Sequence, residues 1–279
     1  MSGIGIIGGS GLYQIDEVET VTTHNVETPF GEPSDPIIEA SVDSVPFYFL
    51  SRHGAGHRLI PSEVNYRANL YALKKIGVEK VVSISAVGSL KESLHPGMFF
   101  VPDQFIDWTK GRRERSFFGE GMVGHVSGAE PVDKNLKKSV ETVLQDASID
   151  FQSNGSYLCI EGPQFSSRAE SQIYRSFGCS VIGMTNIPEC YLALEAGIAY
   201  TSVCTITDYD AWKEEACSLK EILKVMSENT IKAQSLIKRL IPYLDSNDFK
   251  VNKENQYCVV TDESRLSDKH REILKVLQR

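Results

Sequence analysis

Tyr200–Trp212 reads YTSVCTITDYDAW. From Tyr200 to Thr207 the residues are β-branched, small or aromatic, with no charge among them. Such a run predicts a strand buried on both faces, as in a parallel sheet covered by helices. Asp208 and Asp210 stand at its end, with Tyr209 between them and Trp212 beyond. If the chain stays extended, the two-residue period points both carboxylates to the same side. In open α/β sheets, ligands bind beyond the carboxyl ends of strands. Two acids at such an edge can serve a polar heterocycle as proton donor and acceptor. Taken alone, the stretch fits slightly better as an acidic turn that ends the strand and caps the next helix, since Asp favours both roles. The rest of the chain decides.

Upstream, Ser180–Gly183 is a short strand ending at Met184-Thr185-Asn186, and Pro188 opens a helix over Glu189–Ala196. Ser156–Ile160 is another strand. It runs into Glu161–Ser167, EGPQFSS, where Gly162 and Pro163 force a loop and Phe165 offers a flat face for stacking. Arg168–Phe177 and Asp133–Leu144 read as helices. Phe99–Ile106 reads as a strand, and Asp107–Gly124 as a long polar loop whose Arg112, Arg113 and Arg115 suit surface ion pairs.

Further back, Lys80–Ser85 is a strand that ends at Ala86-Val87-Gly88-Ser89. Asn65–Ile76 has helical spacing, with Tyr66, Leu70, Leu73 and Ile76 on one face and Gly77 as its stop. Pro46–Leu50 is a strand running into Ser51-Arg52-His53-Gly54, with His57-Arg58 close behind. A guanidinium at a strand end suits a phosphate. At the N-terminus, the strand Gly3–Ile7 meets Gly8-Gly9-Ser10-Gly11. Glycines there let backbone N–H groups approach an anion, and Ser10 adds a hydroxyl. The loop is neither a full GxGxxG nor a Walker A, and a tight turn explains it about as well as a phosphate site.

Downstream, Lys220–Tyr243 is a long amphipathic helix, expected to pack on the sheet through Ile222, Leu223, Met226, Ile231, Leu236 and Leu240 and to break at Pro242. The tail from Asp245 is highly charged and carries a short helix, Asp268–Leu277. With no internal repeat or low-complexity linker, the expectation is one α/β domain over residues 1–244 with a mixed central sheet flanked by helices. Residues 245–279 would form a charged tail.

The 279 residues are 41% apolar and 24% charged, as in an ordinary soluble globular protein. A formal net charge of −8 gives no general attraction to nucleic acid or anionic membrane, so an anionic substrate needs a local site. Six cysteines without a CxxC pair read as reduced core residues, not as disulfides or a zinc site. MSGIGIIGGSG lacks the basic start and apolar run of a signal peptide, and no stretch reaches transmembrane length. Cytosol is the expected location.

Gly8–Gly11, Arg52-His53, Ser85-Ala86, Met184-Thr185 and Asp208–Asp210 all follow strands and can share one sheet edge. With IIGGSGL (6–12), TPFGEPSD (28–35), RHG (52–54), VNYRAN (64–69), DQFID (103–107), EGPQFSSRAE (161–170), MTNIPE (184–189) and TDYDAWKE (207–214), this order resembles the trimeric purine nucleoside phosphorylase family. Within it, the chain looks most like the S-methyl-5′-thioadenosine phosphorylases. The resemblance covers roughly residues 3–242.

It implies phosphorolysis of S-methyl-5′-thioadenosine to adenine and 5-methylthioribose 1-phosphate, with phosphate as co-substrate, no metal or organic cofactor, and a homotrimer. By resemblance, Ser10, Arg52, His53, Ser85, Ala86 and Thr185 hold phosphate. Ile160, Phe165 and Met184 surround ribose and purine. Asp208 and Asp210 engage the purine's imidazole-ring nitrogen and exocyclic amino group. Cys217 and Leu219 lie near the methylthio group, and His125 reaches a neighbouring subunit's site. Chemistry agrees: a protonated Asp208, raised by burial and by Asp210, would make adenine a better leaving group. A carboxylate pair also suits a 6-amino purine, whereas a 6-oxo purine would prefer an amide donor. The rival reading is a broader purine nucleoside or methylthioinosine phosphorylase. A dinucleotide-dependent oxidoreductase would need a proper GxGxxG, and a non-catalytic binding protein would not need Arg52, His53 and the Asp pair together.

Overall fold

The computed structural model describes residues 3–12, 18–213 and 219–279. Its strands, in chain order, are β1 (Gly3–Gly8), β2 (Glu19–His24), β3 (Ile37–Val42), β4 (Val45–Ser51), β5 (Val78–Ser89), β6 (Phe99–Val101), β7 (Gln104–Trp108), β8 (Phe151–Ser153), β9 (Ser156–Ile160), β10 (Val181–Gly183) and β11 (Ala199–Asp208). The helices are α1 (Tyr66–Lys75), α2 (Lys134–Asp146), α3 (Arg168–Ser176), α4 (Asn186–Glu195), α5 (Leu219–Ser246) and α6 (Asp268–Leu277). The strands join in one mixed sheet, ordered β2-β3-β4-β1-β5-β10-β9-β7, with β11, β6 and β8 branching from β5. This is the expected mixed α/β architecture.

β5 is where the sheet divides. Its first half pairs with β1 in parallel, from Gly3↔Val78 to Ile7↔Ser83. Its far end pairs antiparallel with β10, at Ile182↔Gly88 and Val181↔Ser89. Along the other edge β11 runs parallel to it from Ala199↔Lys80 to Asp208↔Gly88. Between Ser83 and Gly88, β5 therefore has β11 on one side and, among the described residues, no strand on the other. The strand expected to end at Ser85 continues to Ser89, held by β11 as far as Gly88 and by β10 at Gly88 and Ser89.

The core sits on both faces, as the apolar run of β11 requires. Tyr200, Cys204 and Ile206 bury into the cluster that includes α1, α4 and α6, while Ala199 and Val203 bury into the one that includes α2 and α5. Local signals set the helix starts. The Asn65 side chain accepts the Ala68 N–H, Asp133 accepts from Asn135 and Leu136, and Ser167 with Glu170 forms a capping box. Such caps are worth about 1 kcal/mol each.

Three expectations are corrected. The strand expected over Phe99–Ile106 is two strands, because Pro102 has no N–H for a ladder and the chain turns there from β6, on β11, to β7, on β9. α5 does not stop at Pro242 but continues to Ser246. Leu240, Ile241 and Leu244 are fully buried around the proline. At about 1.5–3 kcal/mol per side chain their burial outweighs the proline's cost of about 3 kcal/mol. The face by which α5 packs is Ala233, Leu236, Ile237, Leu240, Ile241 and Leu244, whereas Leu223, Met226 and Ile231 are exposed. Apolar periodicity marks a face without saying how far along the helix a sheet lies beneath it.

The charged tail is docked. Ile273, Val276 and Leu277 of α6 are buried in the cluster shared with α1. The Asn255 Nδ2 donates to the Glu195 and Leu277 carbonyls, and Lys253 pairs with Glu79 at 2.6 Å. Cys159, Cys179, Cys190, Cys204 and Cys258 are free and buried, as expected for core thiols, and Cys217 lies outside the described residues. No helix among the described residues is long and apolar enough to cross a membrane.

Candidate active site

The unpaired stretch of β5 gathers the expected anion-binding groups. β1 ends beside it at Gly8, and the Arg52 N–H after β4 donates to the Gly8 carbonyl at 3.0 Å. β10 arrives from the opposite direction, so the residues after Gly183 run back along β5. That brings Thr185 to Ser85, with their hydroxyls 3.1 Å apart and both side chains buried. Ala86, next along, is exposed. A side chain added to Gly9 would meet nothing within 4 Å, so the glycine loop faces open space. Ser10 opens a 3-10 turn to Leu12, but its side chain lies outside what the structure describes.

Arg52 and His53 occupy this edge in a form the sequence did not suggest. Arg52 is 2% exposed and grips the buried Glu189 through Nε at 2.7 Å and Nη2 at 3.1 Å. It also donates to the Ile84 carbonyl at 3.2 Å and the Ser83 hydroxyl at 2.6 Å. Burial opposes its charge, but the Glu189 carboxylate overcomes this and pushes its pKa further up. One Nη1 hydrogen is left over from these bonds. His53 Nδ1 donates to the Leu59 carbonyl at 2.8 Å, which leaves Nε2 as an acceptor. Burial, and then the Arg52 charge, lower its pKa to about 4, so the ring is neutral near pH 7. Arg58, the other cation of this segment, donates to the Ser34 carbonyl at 2.8 Å.

The Asp pair closes the far end of the same stretch. β11 stops at Asp208, after a register shift between Ile206 and Asp208. Asp210 begins a 3-10 turn with φ +47°. The carboxylates therefore share a side because the chain turns, not because it alternates. Asp208 Oδ2 accepts the Asp210 N–H at 2.9 Å, and its Oδ1 accepts the Thr207 hydroxyl at 2.6 Å. Both side chains lie over Gly88: a Cβ there would sit 3.3 Å from Asp210 Cβ and 3.5 Å from Asp208 Oδ2. Among the described residues, Asp210 Oδ2 is buried beside the Ser166 and Ser171 hydroxyls, and none of the three atoms makes a hydrogen bond of full geometry. Burial chiefly, and the Asp208 charge as well, raise the pKa of Asp210, while Ser171 and the Ala211 amide work against the rise. Asp210 thus has the raised pKa that a proton donor to a heterocycle needs. Trp212 fixes the turn by donating to the Ser89 carbonyl at 2.8 Å beneath the Arg175 guanidinium, 3.6 Å from the ring centroid.

The nucleoside-side residues are brought together in part. Ile160 and Met184 share a small apolar cluster that also takes in Trp212. Phe165 stands apart at 82% exposure. Leu219 begins α5, with its side chain outside the described set, and Cys217 falls outside the described residues altogether. His125 is exposed and lies elsewhere, lining a cavity of about 490 Å³ with Glu130, Asn255 and Tyr257.

Arg113 corrects the reading of its loop as a surface feature. It is 5% exposed, and its Nε pairs with Glu161 at 2.7 Å. Nη1 donates to the carbonyls of Met184 at 2.7 Å and Ile187 at 2.6 Å, and Nη2 to those of Ile160 at 3.3 Å and Glu161 at 2.9 Å. Burial would raise the pKa of Glu161, but Arg113 and the Lys110 amide hold it below the usual value. The available signals were the acids. Glu161 ends a buried strand, and Glu189 lies in the apolar run IPECYLALEAG. Each such acid demands a cation.

Residues 3–242 match the phosphorylase superfamily. The chain belongs to that superfamily. The S-methyl-5′-thioadenosine phosphorylase of Geobacter sulfurreducens is 44% identical over 98% of this chain and 97% of its own length. A crystal structure of methylthioadenosine phosphorylase sourced from an antarctic soil metagenomic library aligns with TM-score 0.93 at 43% identity, covering 100% of this chain and 99% of that one. The methylthioadenosine phosphorylase from Schistosoma mansoni in complex with tubercidin aligns with TM-score 0.83 at 35% identity, over 89% and 93% of the two chains. These similarities set the chain among the S-methyl-5′-thioadenosine phosphorylases.

Proposed function

We propose that this protein is a pentosyltransferase that splits S-methyl-5′-thioadenosine with inorganic phosphate into adenine and 5-methylthioribose 1-phosphate. The observation that carries the reading is the spacing along β5. The Ser85–Thr185 hydroxyl pair lies at Ser85 and the Asp208–Asp210 carboxyl pair over Gly88, three residues apart on one strand. An anion held at the first and a purine held at the second would present the anomeric carbon between them.

In that reading the phosphate, held by Ser85, Ala86, Thr185, Ser10, Arg52 and His53, forms a bond from oxygen to the anomeric carbon as the bond to the base breaks. The bonding pair leaves with adenine. A proton delivered to the imidazole-ring nitrogen by the Asp pair neutralises it. Asp210, with its raised pKa and an Oδ2 that makes no hydrogen bond of full geometry, is the better-suited donor. Asp208, anchored by the Thr207 hydroxyl and the Asp210 N–H, accepts from the exocyclic amino group. Fixed donors around the anion supply positioning and electrostatic stabilisation, without a step that needs a metal or organic cofactor. Ile160, Met184 and Phe165 would flank sugar and base, and Cys217 and Leu219 the methylthio group. The exposure of Phe165 and His125 leaves both free to be covered by a second copy, in keeping with the homotrimer that the resemblance implies; a cytoplasmic location is part of the same reading.

The test is base release from methylthioadenosine, adenosine and methylthioinosine, each with and without phosphate. Phosphate-dependent adenine release with methylthioadenosine preferred is the expected result. Preference for methylthioinosine would overturn the role given to the Asp pair, and release independent of phosphate would overturn the anion site.

A further inference from the structure

We propose that Arg113 is a positioning residue whose guanidinium locks the nucleoside loop after β9 to the phosphate loop after β10. The inference rests on the function proposed above. All five of its N–H groups are spent: one on the Glu161 carboxylate, two on the carbonyls of Ile160 and Glu161, and two on those of Met184 and Ile187. The first pair of carbonyls begins the loop that carries Phe165. The second pair brackets Thr185, whose hydroxyl meets Ser85. Among the described residues, no hydrogen bond of Arg113 goes to a side chain of the candidate site itself. Its work is to set the separation of two backbones that belong to different substrates.

A planar fork with fixed donor directions can span both loops, whereas an ammonium with three donors on a flexible stem cannot reach all four carbonyls. Misplacement of reacting groups by about 1 Å costs on the order of 100-fold in rate. Packing supports the rigidity of the fork. The guanidinium lies 5.6 Å from the Tyr66 ring centroid, and the Glu161 carboxylate is itself fixed by the Lys110 N–H at 2.8 Å.

The experiment compares wild type, Arg113→Lys, Arg113→Ala and Glu161→Gln by steady-state kinetics and amide hydrogen exchange. Arg113→Lys keeps a cation opposite Glu161 and is expected to fold, yet to lose about 100-fold in kcat/KM for methylthioadenosine. Exchange should quicken in both 160–167 and 184–187. Added guanidinium ion should restore part of the activity of Arg113→Ala, which a merely destabilised variant would not show. Glu161→Gln keeps the carbonyl bonds of the fork and should stay within about tenfold of wild type. A loss in Glu161→Gln as deep as in Arg113→Lys would assign the effect to the ion pair and overturn the proposal. So would Arg113→Lys activity within about threefold of wild type, or unchanged exchange in either loop. A wild-type protein without phosphorolysis would sink the proposed function alone, since exchange reads the lock without turnover.

Discussion

Asp208 accepts the backbone N–H of Asp210 at 2.9 Å, so one acid of the pair anchors the turn that carries the other. The two are therefore unequal. Asp208 has both oxygens engaged, while Asp210 keeps a buried oxygen without a hydrogen bond of full geometry and has a raised pKa. If Asp210 supplies the proton, its active form is the protonated one. That form disappears as pH rises through the raised pKa, so kcat/KM should fall on the basic side of a limb lying above the ordinary Asp range. Asp210→Asn should lose about 100-fold to 10,000-fold and erase that limb. A pH–rate profile of both Asp→Asn variants checks this; a limb that survives in Asp210→Asn rules the assignment out.

The Ser85 and Thr185 hydroxyls meet across β5 and the loop after β10. Removing either should raise the KM for phosphate by about tenfold and leave that for the nucleoside nearly unchanged, since one hydrogen bond to a charged group is worth about 1.5–3 kcal/mol. Because the two hydroxyls touch, the double variant should lose less than the sum of the singles. Initial rates against both substrates for Ser85→Ala, Thr185→Ala and the pair measure it.

Glu189 is fully buried and pairs with an almost fully buried Arg52. Truncating the acid leaves an unpaired guanidinium in the core and should cost about 3–5 kcal/mol of stability. Glu189→Ala should also release Arg52 from its fixed orientation and weaken phosphate binding. Thermal or urea unfolding gives the first effect and phosphate titration the second.

A further acid links stability to pH. Glu195 accepts from the Ser116 hydroxyl at 2.8 Å and the Phe117 N–H at 2.7 Å, and burial raises its pKa to about 7 from 4.5. Between those values the unfolded carboxyl ionises while the folded one keeps its proton. Stability therefore falls as pH rises across that window and is level above it, an effect on the order of 3 kcal/mol. Glu195→Gln can keep both bonds through a flipped amide and should flatten the curve. Urea unfolding of the two proteins at pH 5 and pH 8 decides.

Much of this was legible because it is local. The apolar run of β11, the helices starting near Asn65, Asp133 and Arg168, and the span of α6 each follow from neighbouring residues. The strand-end motifs were legible as a set, since strand ends collect at one sheet edge. What escaped was whatever depends on distant backbone. Nothing around Arg113 signals that its partners are carbonyls 47 to 74 residues away. Arg52 read as a free cation because Glu189 is 137 residues distant. Asp208 and Asp210 alone favoured a turn only slightly, because alternation and a turn both place the carboxylates together.

The division of the sheet at β5 has a bearing on how such an enzyme can change. In the proposed function, the anion contact at Ser85 and the base contact over Gly88 would be borne by a single strand, while Thr185 and the Asp pair arrive on the loops after β10 and β11. Selectivity could drift by replacing side chains in the loops after β9, β10 and β11 while the carbonyls bonded to Arg113 stay in place. The strand is not replaceable in that way: a change of its twist or length would move both substrates at once. A library meant to find new bases or new leaving groups should therefore vary the three loops and leave Val78–Ser89 untouched.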